Sequence, residues 1–133
     1  MKFYTKEEQR ILMLNPFVLY IKDNRAIIYE PIFKLWCVFN KKYHPEKTCR
    51  NLFSSCEFDL NILSKRQPYE RIRRWEELFD LYGYEYFLEK QKVANKQNQI
   101  LEQVNKNKKT IYNLELRNVI KKEVEFYVKS YKK

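Results

Sequence analysis

The chain has a single glycine, Gly83, among its 133 residues, and its four prolines all lie before that glycine. Phosphate-binding loops and dinucleotide-binding turns need several glycines, so the sequence excludes both kinds of site. From Glu89 onward the chain has neither glycine nor proline, and it is rich in Lys, Asn, Gln and Glu. Because these two helix breakers are missing there, the sequence predicts long helical structure after Gly83.

Few side chains in this sequence could support catalysis or bind a metal. The chain has one histidine, His44, so few residues are available for a histidine-based triad or a multi-histidine metal site. Cys37, His44, Cys49 and Cys56 are separated by six, four and six residues, which is not a zinc-ligand spacing. We interpret them as buried thiols and a turn histidine. We therefore expect no catalytic residues, no metal, no cofactor and no enzymatic activity.

Three features predict a reduced, cytoplasmic setting. The number of cysteines is odd and no CxxC pair occurs, which favours free thiols over a disulfide framework. No segment contains the roughly 18–20 consecutive apolar residues that a membrane helix needs. Glu7 and Glu8 lie where an export signal would carry only positive charge. We expect a cytoplasmic protein that does not contact a membrane.

Positive charge is concentrated in two parts of the chain, whose formal net charge is +10. Residues 91–133 carry 11 basic and 4 acidic side chains, a net charge of +7. Between Lys65 and Arg74, five basic side chains accompany one acidic residue, Glu70. Such clusters are typical of proteins that bind polyanions, most often nucleic acid. The alternative is a solvated helix face followed by a basic tail that only improves solubility.

Local signals divide the first 83 residues into short elements. Thr5 and Glu8 form a capping-box pattern, which predicts a helix to about Leu14. The apolar runs 17–21 and 26–29 flank Asp23 and Asn24, a pattern typical of a small β-hairpin. Prolines at first helical positions and apolar spacing then predict three helices, over residues 31–42, 45–56 and 67–82, and Gly83 is a typical helix stop.

Three helices in this order predict a helix-turn-helix domain whose third helix, 67–82, enters the major groove of DNA. Its apolar face is Ile72, Trp75 and Phe79, so its polar residues project outward. The residues expected to contact DNA are Lys65, Arg66, Gln67, Tyr69, Arg71, Arg73 and Arg74. The alternative is a structural helix stabilised by side-chain pairs such as Arg73 with Glu77.

The region after Gly83 predicts one long helix, or two with a break near residues 105–109. Ile100, Val104, Ile111 and Leu114 follow a 4–7–3 spacing, with Asn107 and Asn118 at the other seam positions. This spacing resembles an imperfect coiled coil that could join two copies of the chain. The alternative is a helix that folds back onto its own domain. We therefore divide the chain into a helix-turn-helix domain, 1–83, and a basic helical region, 84–133.

A set of short motifs carries a family resemblance across residues 4–83. They are Tyr4–Glu8, Ile11–Leu12, Asn15–Val18, Ile28–Tyr29, Phe33–Lys34, Leu52–Phe53, Cys56, Phe58–Asp59, Arg74–Trp75 and Tyr82–Gly83. In order and spacing the chain resembles the orphan helix-turn-helix proteins of Firmicutes related to the first reading frame of IS3-type transposases. Residues 118–127 are similar to the zipper-like C-terminal helix of that family.

The resemblance implies a homeodomain-like helix-turn-helix. Together with the hairpin and the long C-terminal helix read from the residues, it predicts a mostly α-helical fold. It implies sequence-specific binding of double-stranded DNA through residues 65–74, homodimerisation through the C-terminal helix, and no catalysis. The chain departs from the family at Glu57, where a turn glycine is usual, and at Glu76 and Glu77, where basic residues are common. An alternative function is therefore a protein-interaction adaptor of phage or mobile-element origin that keeps the fold and not the DNA binding.

Overall fold

A computed structural model describes the backbone of residues 3–104 and 111–132 and the side chains of residues 3–96 and 115–132. The described part is mostly α-helical, with one antiparallel two-stranded sheet, as predicted. The elements in chain order are α1 (Lys6–Met13), β1 (Val18–Lys22), β2 (Ala26–Tyr29), α2 (Pro31–Tyr43), α3 (Cys49–Ser55), α4 (Gln67–Val104) and α5 (Ile111–Tyr131). None of the described helices has the length and apolar character to cross a bilayer.

The N-terminal elements follow their local sequence signals. The Thr5 hydroxyl accepts a hydrogen bond from the Glu8 N–H at 3.1 Å, and the Glu8 carboxylate accepts from the Thr5 N–H at 2.9 Å. This confirms the capping box. In the hairpin turn, Asp23 and Asn24 have φ values of 53° and 60°. Asp and Asn tolerate this left-handed conformation better than most residues, so the predicted hairpin is also confirmed.

Helix α2 begins at Pro31 as predicted and is buried along most of its length. Helix α3 is shorter than the predicted 45–56, because it begins at Cys49 rather than at Pro45. The Thr48 side chain accepts a hydrogen bond from the Asn51 N–H at 3.0 Å and caps the helix. Threonine is a preferred N-cap residue because its hydroxyl accepts a hydrogen bond from a free backbone N–H of the first turn, whereas histidine, the N-cap residue for a start at Pro45, is not among the preferred types. The prediction of a helix start at Pro45 was therefore wrong.

Helix α4 is kinked at Gly83, which has φ +76° and ψ 179°. The helix breaks at this residue as predicted, but helical structure resumes directly afterwards. We call residues 67–82 the N-terminal segment of α4 and residues 84–104 its C-terminal segment. The predicted break near residues 105–109 falls in a part of the chain outside the described residues, and the chain forms two helices, α4 and α5, on either side of it.

The core is aromatic and is centred on α2. Phe33 and Phe53 are fully buried, and their ring centroids lie 5.2 Å apart. The Trp75 indole of α4 stacks on Phe53 with centroids 6.0 Å apart and planes 4° apart. Tyr29, from the hairpin, meets the edge of Trp75 at 5.3 Å. The hairpin, α2, α3 and the N-terminal segment of α4 are therefore held by one continuous core.

Helix α5 folds back onto α2. Ile120 and Val124 are buried in the core cluster, and the Tyr127 ring stacks on Phe39 with centroids 5.5 Å apart. The described side chains of α5 thus follow the fold-back alternative. The seam positions predicted from Ile100 to Leu114 lie outside the described side chains.

A polar network joins the start of α2 to the C-terminal segment of α4 and to α5. The Glu30 carboxylate is 1% exposed and accepts hydrogen bonds from the Arg117 guanidinium and, at 2.7 Å, from the Gln91 amide. The Gln91 carbonyl oxygen accepts from the Ile32 N–H at 2.8 Å. These bonds fix the direction in which α5 returns across the domain.

Candidate nucleic-acid interface

The N-terminal segment of α4 is held by one face and exposes the other. Ile72, Trp75 and Phe79 are at most 3% exposed, because they pack into the aromatic core. The basic side chains of the predicted site all lie at exposed positions: Lys65, Arg66, Arg71, Arg73 and Arg74. Tyr69 is half exposed. The helix and the two residues before it therefore present these charges to solvent.

Among the predicted contact residues, Gln67 is notable because its side chain bonds to residues far away in the sequence. Its amide nitrogen donates a hydrogen bond to the Tyr29 hydroxyl at 3.1 Å. Its carbonyl oxygen accepts one from the Tyr4 hydroxyl at 3.0 Å. Both tyrosine rings are buried, so Gln67 ties the start of α4 to the N-terminal strand region. This geometry gives Gln67 a positioning role for the neighbouring cations.

Two of the exposed arginines form ion pairs along the helix. Arg66 Nε lies 3.7 Å from a Glu70 carboxylate oxygen, and Arg74 Nη1 lies 3.3 Å from a Glu77 carboxylate oxygen. The predicted alternative paired Glu77 with Arg73, but Glu77 pairs with Arg74. Exposed pairs of this kind contribute little to stability. A phosphate group can therefore displace the glutamate carboxylates from both arginines at a small free-energy cost.

Arg73 and Arg71 point to opposite flanks of the helix. The Arg73 guanidinium lies 6.0 Å above the Tyr69 ring on the outer side. A separation of two residues corresponds to about 200° around a helix axis. Arg71 instead lies near Lys34 of α2, where its charge helps to lower the pKa of the lysine. The structure thus exposes Lys65, Arg66, Arg73 and Arg74, and it places Arg71 on the flank of the helix that faces Lys34.

Arg50 of α3 joins the outer cations and was not identified from the sequence. Its Nη1 donates a hydrogen bond to the Lys65 backbone carbonyl at 3.2 Å. This contact brings a half-buried guanidinium next to the loop that leads into α4. Arg50 lies outside the basic run 65–74. It comes close to Lys65 because residues 56–66 lead the chain back past α3.

The connection between α3 and α4 spans the eleven residues 56–66. It is longer than the three- or four-residue turn of the simplest helix-turn-helix motifs. The Asn15 amide donates a hydrogen bond to the Cys56 carbonyl at 2.8 Å and anchors the start of this loop. The next residue, Glu57, has φ +68°, a conformation that favours glycine.

The cysteines and the histidine do not form a site in the described part of the chain. Burial raises the pKa of the Cys37 and Cys56 thiols, which keeps both in the neutral form. No group of three His, Cys, Asp or Glu side chains among the described residues is arranged to hold a metal. His44 lies beside Glu46 in the turn before α3, with Nδ1 3.6 Å from a carboxylate oxygen.

The outer side of α4 offers exposed, fixed cations separated by helical spacing, and this arrangement suits contacts with the phosphates and base edges of a nucleic acid. Arg66 and Arg74 face glutamates, whereas Lys65, Arg73 and Arg50 form no ion pair with the residues that the structure describes. Comparison of the chain with protein-family models, with curated proteins and with solved structures finds no match.

Proposed function

We propose that the protein binds double-stranded DNA through the outer side of the N-terminal segment of α4. The observation that carries the proposal is a set of four exposed cations at the start of α4. Lys65 and Arg66 directly precede the helix, and Arg73 and Arg74 lie on it, while its other face packs into the core. An α-helix fits the major groove, and arginine can bond guanine through two hydrogen bonds or hold a phosphate. Helices α2 and α3 with this segment would form the trihelical, homeodomain-like helix-turn-helix unit.

Two details support the proposed relationship to transposase-related helix-turn-helix proteins. Glu57 occupies a left-handed backbone conformation at the position where that family usually has a glycine. Tyr4 and Tyr29 belong to the motifs that carry the resemblance, and both bond to Gln67. These bonds anchor the start of α4. The proposal includes an accessory or regulatory role in a mobile element, without catalysis.

Homodimerisation through α5 is part of the proposal. Val119 and Phe126 are seven residues apart on α5 and are 52% and 66% exposed, on the side away from the buried Ile120 and Val124. A seven-residue spacing places both side chains on one face, where a second copy could pack. A dimer would place two copies of the α4 segment on successive half-sites.

The experiment is fluorescence anisotropy with a random duplex pool, followed by sequencing of the bound fraction. We expect an enriched, repeated half-site. Arg73→Ala should weaken binding to the enriched site by about 1–3 kcal/mol if Arg73 contacts a base. Lys65→Ala should weaken all sequences equally if Lys65 contacts a phosphate. Lys92→Ala, which removes an exposed lysine of the C-terminal segment paired with Glu89, is the matched control.

The adaptor hypothesis is the second candidate, and two observations favour it. Glu70 and Glu77 pair with two of the outer arginines, and the α3–α4 connection exceeds a short turn. An acidic protein surface would then be the partner of the remaining cations. Absence of duplex binding at low salt, with the fold intact, would select this candidate.

A further inference from the structure

A second group of cations lies on the opposite flank of α4, away from Arg73. It consists of Lys34 of α2, Arg71 of the N-terminal segment and Lys90 of the C-terminal segment. Two of them, Lys34 and Lys90, line a cavity of about 260 Å³ between the hairpin, α2 and the kinked helix. Most of the wall is apolar or aromatic and includes Leu19, Ile28, Leu78, Tyr86, Phe87 and Val93.

The Lys34 ammonium group has no hydrogen bond or ion pair with any residue that the structure describes. It is half-buried, and burial lowers its pKa, with further lowering by the positive charges of Arg71 and then Lys90. Lys90 has no carboxylate partner in the described part of the chain either, and its ammonium lies 5.5 Å above the Tyr86 ring. A half-buried cation next to two others is electrostatically unfavourable unless an anion joins them.

The shape and lining of the cavity fit a small ligand. Ligand sites are typically concave and largely apolar, with a few polar groups that fix orientation. An apolar cavity of roughly 150 Å³ accepts benzene. The present cavity is larger, so it can hold a short alkyl chain or a small aromatic ring system. It is too small for a nucleic-acid duplex.

We propose that this cavity binds a small amphipathic carboxylate, with the carboxylate between Lys34 and Lys90 and the apolar body against Leu78 and Phe87. Arg71 adds positive charge at the rim. Charge complementarity selects an anion, and the apolar wall selects one with a hydrophobic body. The two lysines that line the cavity, Lys34 and Lys90, are not among the cations of the proposed DNA interface.

Isothermal titration calorimetry with decanoate and 2-naphthoate tests the proposal on the full chain. We expect saturable binding of one molecule per chain for at least one of the two carboxylates. 1-Decanol, which has the same alkyl chain as decanoate without the charge, should bind about tenfold more weakly or worse than decanoate. Lys34→Met, which keeps an unbranched apolar stem, should weaken carboxylate binding by at least about tenfold.

Two controls keep the result specific. Lys90→Met should also weaken binding, while Lys92→Met, outside the cavity lining, should leave it unchanged. Bound carboxylate should protect Lys34 from an amine-acylating reagent, as detected by mass spectrometry. The proposal is overturned by absence of saturable binding of both carboxylates, by equal binding of decanol and decanoate, or by unchanged affinity in Lys34→Met.

Discussion

Arg117→Met should destabilise the protein by about 3 kcal/mol, because it removes the cation beside a buried carboxylate. Loss of one partner of a buried ion pair typically costs about 3–5 kcal/mol. The Glu30 side chain is 1% exposed, whereas the Arg117 side chain is 29% exposed. The partial exposure of the arginine places the expected effect at the lower end of the range. Methionine keeps much of the apolar volume of arginine, so the change reports mainly on charge.

Urea denaturation followed by tryptophan fluorescence measures this effect, since Trp36 and Trp75 are both buried in the core. The double variant Glu30→Gln, Arg117→Met should be more stable than the sum of the two single effects predicts, with a coupling free energy of about 1–3 kcal/mol. Arg10→Met is the matched control. Arg10 pairs with Glu7 on the exposed face of α1, so its removal should leave the urea midpoint unchanged.

Equal urea midpoints for Arg117→Met and the unmodified protein would refute the reasoning. That result would mean that α5 is not docked on α2 in solution. The C-terminal region would then be better described as a coiled-coil arm. In that case, sedimentation of the unmodified chain should detect a dimer joined through this arm.

The remaining predictions concern backbone strain, pH and the anchoring of α4. Glu57→Gly should raise the free energy of unfolding by about 0.5–1 kcal/mol, because it relieves a left-handed conformation; a thermal melt that is unchanged or lower would contradict this. Gly83→Ala should lower it by about 1–3 kcal/mol, since φ +76° with ψ 179° is almost exclusive to glycine, and urea denaturation gives the value. Cys37 and Cys56 have raised pKa values in the folded state, so the stability they confer is complete at neutral pH and is lost as pH rises above about 9. Above that pH, the free energy of unfolding should fall less steeply with pH in Cys56→Ala than in the unmodified protein, by about 1.4 kcal/mol per pH unit. Equal slopes for the two proteins would refute the raised pKa of Cys56. Gln67→Met should weaken DNA binding while leaving every outer cation in place, and an unchanged affinity would exclude its positioning role.

Local chemistry explains which elements could be predicted from the sequence. The bonds between Thr5 and Glu8 and the left-handed turn at Asp23 involve residues only a few positions apart, so their sequence pattern is sufficient. Helix α3 was mispredicted because Pro45 and Thr48 compete as start signals, and the threonine hydroxyl satisfies a backbone donor. The sequence did not decide whether α5 folds back or forms a coiled coil, because the spacing of Ile120 and Val124 suits a core face and a coiled-coil seam equally.

The candidate site was predictable in part, for a different reason. A charged run on an amphipathic helix predicts exposed cations, and Arg73 is exposed as expected. The surroundings of Arg71 could not be predicted, because Lys34 reaches it from another helix. The hydrogen bonds of Gln67 could not be predicted either, because its tyrosine partners are far away in the sequence. The meeting of Lys34 with Lys90 spans 56 residues and has no local signature. These features follow from tertiary packing alone.

The salt dependence of duplex binding tests the central claim most directly. Phosphate contacts by four or five of these cations would release about one counterion each, so a plot of log K against log salt should have a slope of about −3.5 to −4.5 per chain. The cations are Lys65, Arg66, Arg73, Arg74 and Arg50. Anisotropy of a labelled duplex between 50 and 300 mM salt, about the range in which such contacts are resolved, gives the slope. A slope in that range, reduced by about one in Lys65→Ala, is the predicted result. A slope near zero, or no binding at the lowest salt, would contradict the assignment of this surface to DNA.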